Sequence, residues 1–174
     1  MSGLSFIAKD GQMTCVKGSS GSGKSALIRT LMGFLPVGEG FVSVDGELLT
    51  IRSASAFRQM MIYLPQNMQL LRRQLYEPEY TDGDDPEYGV WDNLLPEIQE
   101  ETKAEPLTPE EIFSLAEKTL KEGGEKPIVI ADEPAAMLTP ELAEMMLALL
   151  LEQARMGKTV VVVSRRPEII ANAD

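Results

Sequence analysis

"KGSSGSGKSALIRTL", residues 17–31, decides how the rest of the chain is read. Within it, Gly18-Ser19-Ser20-Gly21-Ser22-Gly23-Lys24-Ser25 satisfies the pattern GxxxxGK[ST]. An apolar run precedes the loop, and an amphipathic run follows from Ala26 onward, which is the strand-to-helix setting such a loop requires. The glycines let the backbone turn its N–H groups inward onto phosphate oxygens, and the positive end of the helix dipole adds to that field. In this pattern Lys24 reaches the β- and γ-phosphates, and the Ser25 hydroxyl ligates Mg2+. Gly18 to Ala26 are therefore the candidate nucleotide-binding residues.

Phosphoryl transfer needs more than a grip: it needs a carboxylate for the metal and a group that positions the attacking water. "IVIADEP", residues 128–134, supplies both. Four apolar residues, Ile128 to Ala131, read as a central strand, and Asp132 and Glu133 follow at its C-terminal end. Open α/β sheets bind their ligands at that end. Asp132 would hold Mg2+, and Glu133 would orient or deprotonate the nucleophilic water.

The flanking pattern fits an α/β sheet. Met13–Val16, Phe41–Asp45, Met60–Leu64, Ile128–Asp132 and Thr159–Ser164 are short apolar or β-branched runs that read as buried strands. Lys24–Gly33, Thr108–Lys121 and Thr139–Met156 carry helical spacing, the last with an N-capping Thr139, Pro140 in the first turn and Gly157 at the exit. Alternating strands and helices imply a largely parallel sheet flanked by helices. The 174 residues suit one domain. From residue 67 to 106 the pattern lapses into an acidic insertion or reduced helical subdomain, with one short helix expected near Val90–Leu95.

Charge is concentrated in that insertion. Thirteen acidic residues and one basic residue, Lys103, fall between Glu77 and Glu111, so a local balance of −12 carries the whole net charge of −11. Such density repels phosphate backbones and disfavours a nucleic-acid partner; a solvated, mobile excursion is expected. The single Cys15 excludes a disulfide framework. No basic-then-apolar leader opens the sequence, and the longest apolar stretch, Met145 to Leu151, is far short of the about 20 residues that cross a bilayer. A soluble, cytoplasmic chain is expected.

Together these motifs resemble the nucleotide-binding domain of the ATP-binding cassette (ABC) family, a P-loop NTPase fold. "GQMTCVKGSSGSGKSALIRTLMGFLPVGEGFVSVDG" is similar to the family's Walker A segment and the hairpin after it. "IYLPQN" is similar to its Q-loop, placing Gln66 at the glutamine that senses metal and γ-phosphate. "VWDNLL" matches the segment beyond, and "PIVIADEPAAMLTPELAEMMLALLLEQARMGKTVVVVSRRPEII" the stretch from Walker B to the switch region. The resemblance implies ATP and Mg2+ as ligands, with Ser25, Gln66 and Asp132 on the metal and Glu133 and Gln66 in catalysis. It also implies pairing with a second ABC-type domain, in a homo- or heterodimer, and a membrane permease partner reached from the inner face of the cell membrane.

Three departures bear on mechanism. Where the family's LSGGQ signature donates hydrogen bonds to the partner's γ-phosphate, this chain has Leu107-Thr108-Pro109-Glu110-Glu111. Thr108 with Glu111 three residues on reads as a capping box, a helix start that does not bind ATP. Arg165 stands where the family carries its switch histidine, and the chain has no histidine. Arg165 would either contact the γ-phosphate in catalysis or form a surface or partner salt bridge. Thr139 replaces the D-loop aspartate. The family's first strand, with its adenine-stacking aromatic, and its final hairpin are not within these residues, which fits either a trimmed or a reduced member. The resulting expectation is an ATP-binding subunit that hydrolyses ATP weakly. A non-catalytic regulatory subunit and a non-transport ABC protein are the alternatives.

Overall fold

A computed structural model describes residues 3–69, 71 and 105–174. The expected insertion, its short helix and its mobility fall almost wholly on residues 72–104 and lie outside the described residues. Four strands form one parallel sheet: β1 (Met13–Val16), β4 (Met61–Leu64), β5 (Ile128–Asp132) and β6 (Thr159–Val163). Their spatial order is β1-β6-β5-β4, with Met13 beside Val160, Ile128 beside Thr159, and Met61 beside Ile128. Each is four or five residues of mostly β-branched or apolar side chains, which suits strands covered on both faces.

Helices lie on both sides because consecutive strand residues point to opposite faces. Val129 and Ala131 enter one core with α3 (Pro109–Glu122) and α4 (Pro140–Arg155), through Leu115, Ala116, Met146 and Leu150. Ile130, between them, enters the other core with Ile28 and Met32 of the segment that starts as α1 (Lys24–Leu31), and with Phe57 of α2 (Ala54–Gln59). The short α5 (Pro167–Ala171) seats Ile169 fully buried in the first core. Asp174 meets the start of β1: it donates its N–H to Met13 O at 2.8 Å and accepts from Met13 N at 3.0 Å.

One expected strand is corrected. Phe41–Asp45 is not a buried strand; only Ser43–Val44 (β2) is extended, paired antiparallel with Glu47–Leu48 (β3) in a ribbon separate from the main sheet. Val44 faces Glu47 across a two-residue turn whose Asp45 and Gly46 have φ of 51° and 82°. An Asp-Gly pair favours this tight hairpin, which turns the chain before a longer strand can form. Phe41 stays 75% exposed. Two short helices, α2 and α5, had no counterpart in the sequence pattern, being five or six residues long.

Candidate functional site

The loop between β1 and α1 owes its shape to two glycines. Gly23 N-caps α1 at φ 87°, a left-handed conformation with no Cβ penalty at glycine. A Cβ at Gly18 would lie 2.6 Å from Ser22 Oγ, so a larger residue would displace that hydroxyl. Ser22 Oγ is itself buried with no hydrogen-bond partner among the described residues. A buried polar atom without a partner costs about 1–3 kcal/mol, which an incoming acceptor would relieve. No side chain caps the N-terminus of α1, and its first turn holds no acidic residue. Its orphan N–H groups thus face an anion unopposed.

Lys24, the first residue of α1, is buried, and its Nζ donates to Gly18 O and Ser19 O at 2.8 Å each. The ammonium is thereby folded back over its own loop. Ser25 lines the same cleft as Asp132, the last residue of β5, and its hydroxyl favours the ionised form of that carboxyl. Burial, and then the charge of Glu133, push the Asp132 carboxyl above its usual range; the Ser25 hydroxyl and the charges of Lys24 and Arg29 oppose this in part. A hydroxyl beside a buried carboxylate is a donor set that fits Mg2+, which takes one or two protein ligands and completes its shell with water and phosphate oxygens. Among the described residues no cluster of three or more His, Cys, Asp or Glu could cage a metal on its own.

Glu133 follows with a left-handed φ of 47°, unusual for a non-glycine residue. Its N–H donates to Val163 O at 2.8 Å, fastening it to the end of β6. Its carboxylate is 6% exposed and is held by Arg165, from Nε to Oε1 at 3.0 Å and from the backbone N–H to Oε2 at 3.2 Å. Lys24 Nζ stands 3.9 Å from the same Oε1.

The structure therefore brings Lys24, Ser25, Asp132, Glu133 and Arg165 together at the C-terminal ends of β1, β5 and β6. Gln66 lies in the exposed turn after β4 and lines, with Ser25, Arg29 and Asp132, a cleft of about 610 Å³. The salt bridge expected of Arg165 is present, but its partner is Glu133 within the chain. Ser19, Ser20, Gly21, Ser25 and Ala26 are exposed along the loop. Sequence reasoning passed over Arg29, one turn beyond Ser25, whose charge reaches Asp132. It also passed over Arg166, which donates to Leu138 O at 2.9 Å. The i, i+4 spacing from Ser25 was a signal for the first; the paired arginines before Pro167 were a weaker one for the second.

At the signature position the expected capping box is present. Glu111 N donates to Thr108 Oγ1 at 3.2 Å, and Thr108 N donates to Glu111 Oε2 at 2.8 Å. Two of the donors at this helix start are thus consumed internally. Thr139, at the D-loop position, N-caps α4, its Oγ1 accepting from Leu142 N at 3.3 Å.

The chain is similar to known proteins. The ABC transporter family model matches residues 1–136. The ABC transporter atnG of Emericella nidulans is 31% identical over 189 residues, across 98% of this chain and 12% of that protein. The energy-coupling factor transporter ATP-binding protein EcfA of Methanothermobacter thermautotrophicus is 31% identical over 187 residues, across 97% of this chain and 58% of the relative. The chain thus spans at most 58% of either relative. In three dimensions it is similar to the ATP-binding cassette MJ0796, solved as a dimer in a post-hydrolysis state with ADP and Pi. The TM-score is 0.67 at 19% identity, over 97% of this chain and 81% of that one. With the family match running through the phosphate loop to the Asp132-Glu133 pair, the chain belongs to the ABC transporter family and has the P-loop fold of its cassettes.

Proposed function

We propose that this chain is the ATP-binding subunit of an ABC transporter, gripping Mg-ATP through Gly18 to Ala26 and hydrolysing it weakly to drive a membrane partner. The observation that carries this reading is the convergence of Lys24, Ser25, Asp132 and Glu133 on one loop whose Ser22 hydroxyl has no partner among the described residues. Ser25 and Asp132, with Gln66 across the cleft, would hold Mg2+. The ion would supply charge neutralisation between the β- and γ-phosphates. Glu133 is the base for water, and Arg165 the cation beside it. No helix among the described residues is long and apolar enough to cross a membrane; the transport step belongs to a permease subunit that this chain would meet at the cytoplasmic face.

A second reading, a non-catalytic nucleotide-binding subunit, draws on two observations. Glu133 is already engaged by two cations, and Glu110 and Glu111 occupy the first turn of α3. A signature so altered supports pairing with a second ABC-type domain that retains its own. Titration with a fluorescent ATP analogue tests the shared core of both readings. Lys24→Ala should abolish Mg-ATP binding, because a desolvated polyphosphate needs the loop's only cation; unchanged affinity would refute the phosphate grip. Turnover of the wild-type chain, alone and mixed with a cassette bearing an intact signature, separates the two readings.

A further inference from the structure

Two buried carboxylates, Asp132 and Glu133, stand side by side at the end of β5, and three cations act on them. Lys24 is folded over its own loop, with Nζ 3.9 Å from Glu133 Oε1. Arg165 is tied to the same oxygen at 3.0 Å. Arg29 is the third. It stands one turn after Ser25 on α1, half-buried, and lines the cleft with Ser25, Tyr63 and Asp132. Its charge acts through space on the Asp132 carboxyl, where it adds to the field of Lys24, and on the Tyr63 hydroxyl. Lys24 and Arg165 are therefore engaged at Glu133, and Arg29 is the cation that faces the cleft beside Asp132.

We propose that Arg29 keeps the metal position closed to a bare divalent cation, so that Mg2+ enters only together with the phosphates of a nucleotide. This rests on the nucleotide reading above and adds to it the order in which the ligands arrive. With three cations against two carboxylates, the empty site repels a divalent ion and attracts a polyphosphate. Ser25 and Asp132 offer Mg2+ only part of a shell, and phosphate oxygens must supply more of it. Phosphates at the loop also neutralise Lys24, and the balance then turns in favour of the ion. Arg29 follows Ser25 by about 6 Å along the helix axis, so its field reaches an ion held there. Because it acts through space, its charge matters and its shape does not: lysine should serve in its place, and glutamine should not.

Electron paramagnetic resonance of Mn2+, used as the probe for the Mg2+ position, tests this on the full chain, first without nucleotide and then with ATP. The wild type and Arg29→Lys should leave Mn2+ free when it is offered alone and hold it when ATP is added. Arg29→Gln should hold Mn2+ alone about tenfold more tightly than the wild type does. That is the effect of a unit charge on a divalent ion at about 8 Å and an effective dielectric near 60. The gain should vanish in the Arg29→Gln/Asp132→Asn double variant. Four results would each overturn the proposal: a wild type that holds Mn2+ as tightly alone as with ATP, no gain in Arg29→Gln, the same gain in Arg29→Lys, or a gain that survives in the double variant. If Arg29→Gln fails to fold, Arg29→Met supplies the same readout with an apolar stem beside Met32 and Phe34, which line the same cleft. A wild-type chain that binds neither ATP nor Mg-ATP instead overturns the nucleotide reading, which the nucleotide-free comparison of Arg29→Gln with the wild type does not test.

Discussion

The surroundings of Asp132, at the end of β5, and of Cys15, within β1, push both toward their protonated forms. For Asp132 the leading cause is burial, followed by the charge of Glu133. A carboxyl whose pKa is raised on folding costs stability when ionised at neutral pH, and that cost fades as pH falls through its folded value. Asp132→Asn keeps the shape and an acceptor for Ser25. The nucleotide-free variant should therefore melt above the wild type at pH 7, by about 2–4 °C for each kcal/mol relieved. The gap should close as the pH is lowered, in scanning calorimetry at several pH values. Added Mg-ATP should raise the wild-type melting temperature more than the variant's. Cys15 is raised by burial first; Glu133 adds to this, and a backbone hydrogen bond from Ser164 opposes it. Its thiol should react with an aromatic disulfide at pH 8 more slowly in the native chain than in the unfolded one, because only the thiolate attacks. The unfolded chain ionises first, so this thiol's contribution to stability is lost as the pH rises above the ordinary thiol range.

At the scale of elements, the start of α3 is fixed by local chemistry. Its start is tied by Thr108 and Glu111 to each other, with Pro109 in the first turn and Glu110 and Glu111 favouring the positive helix end. Thr108→Ala should cost about 1 kcal/mol in urea unfolding. Replacing Thr108–Glu111 by Ser-Gly-Gly-Gln keeps a Ser-x-x-Gln box and removes Pro109 and both carboxylates. Each new glycine costs the helix about 1 kcal/mol relative to alanine, so the variant should be less stable than the wild type. It should nevertheless gain ATP-dependent dimers by size-exclusion chromatography with Mg-ATP, because backbone donors replace like charges. In a homodimer of the wild type each carboxylate brought to about 4 Å from a phosphate would cost about 4 kcal/mol at an effective dielectric near 20. A wild-type chain that dimerises with Mg-ATP as readily as the variant would show that the two carboxylates are no obstacle.

Across the whole molecule, stability rests on the two cores that sandwich the parallel sheet. Leu150 lies fully buried between α4 and the sheet, in the core that also holds Met146, Val160 and Val162. Leu150→Ala should cost about 2–5 kcal/mol in urea unfolding, the range for a large-to-small change in a packed core. Glu144, exposed two residues before Met146 on the same helix, should tolerate alanine within about 0.5 kcal/mol. Nearly equal effects at the two positions would mean that α4 is not packed as described.

The sequence by itself determined what short-range physics controls. Buried strands such as Ile128–Asp132 announce themselves through unbroken apolar runs, since a strand covered on both faces has no polar side to display. The starts of α3 and α4 followed from Thr108 and Thr139, because a capping hydroxyl acts on N–H groups two or three residues away. The phosphate loop was legible for the same reason: its glycines, lysine and serine lie within eight consecutive positions, and Asp132 and Glu133 announced themselves as carboxylates ending an apolar strand. The Asp45-Gly46 turn was equally local but was overlooked beneath the apolar run around it. Only the tertiary structure decided the order β1-β6-β5-β4 and the pairing of Asp174 with Met13, 161 residues away. It alone paired Arg165 with Glu133 across 32 positions and turned Arg166 onto Leu138 across 28. Such contacts depend on which strands lie side by side. That choice is made by packing across the whole sheet, and no local pattern of residues carries it.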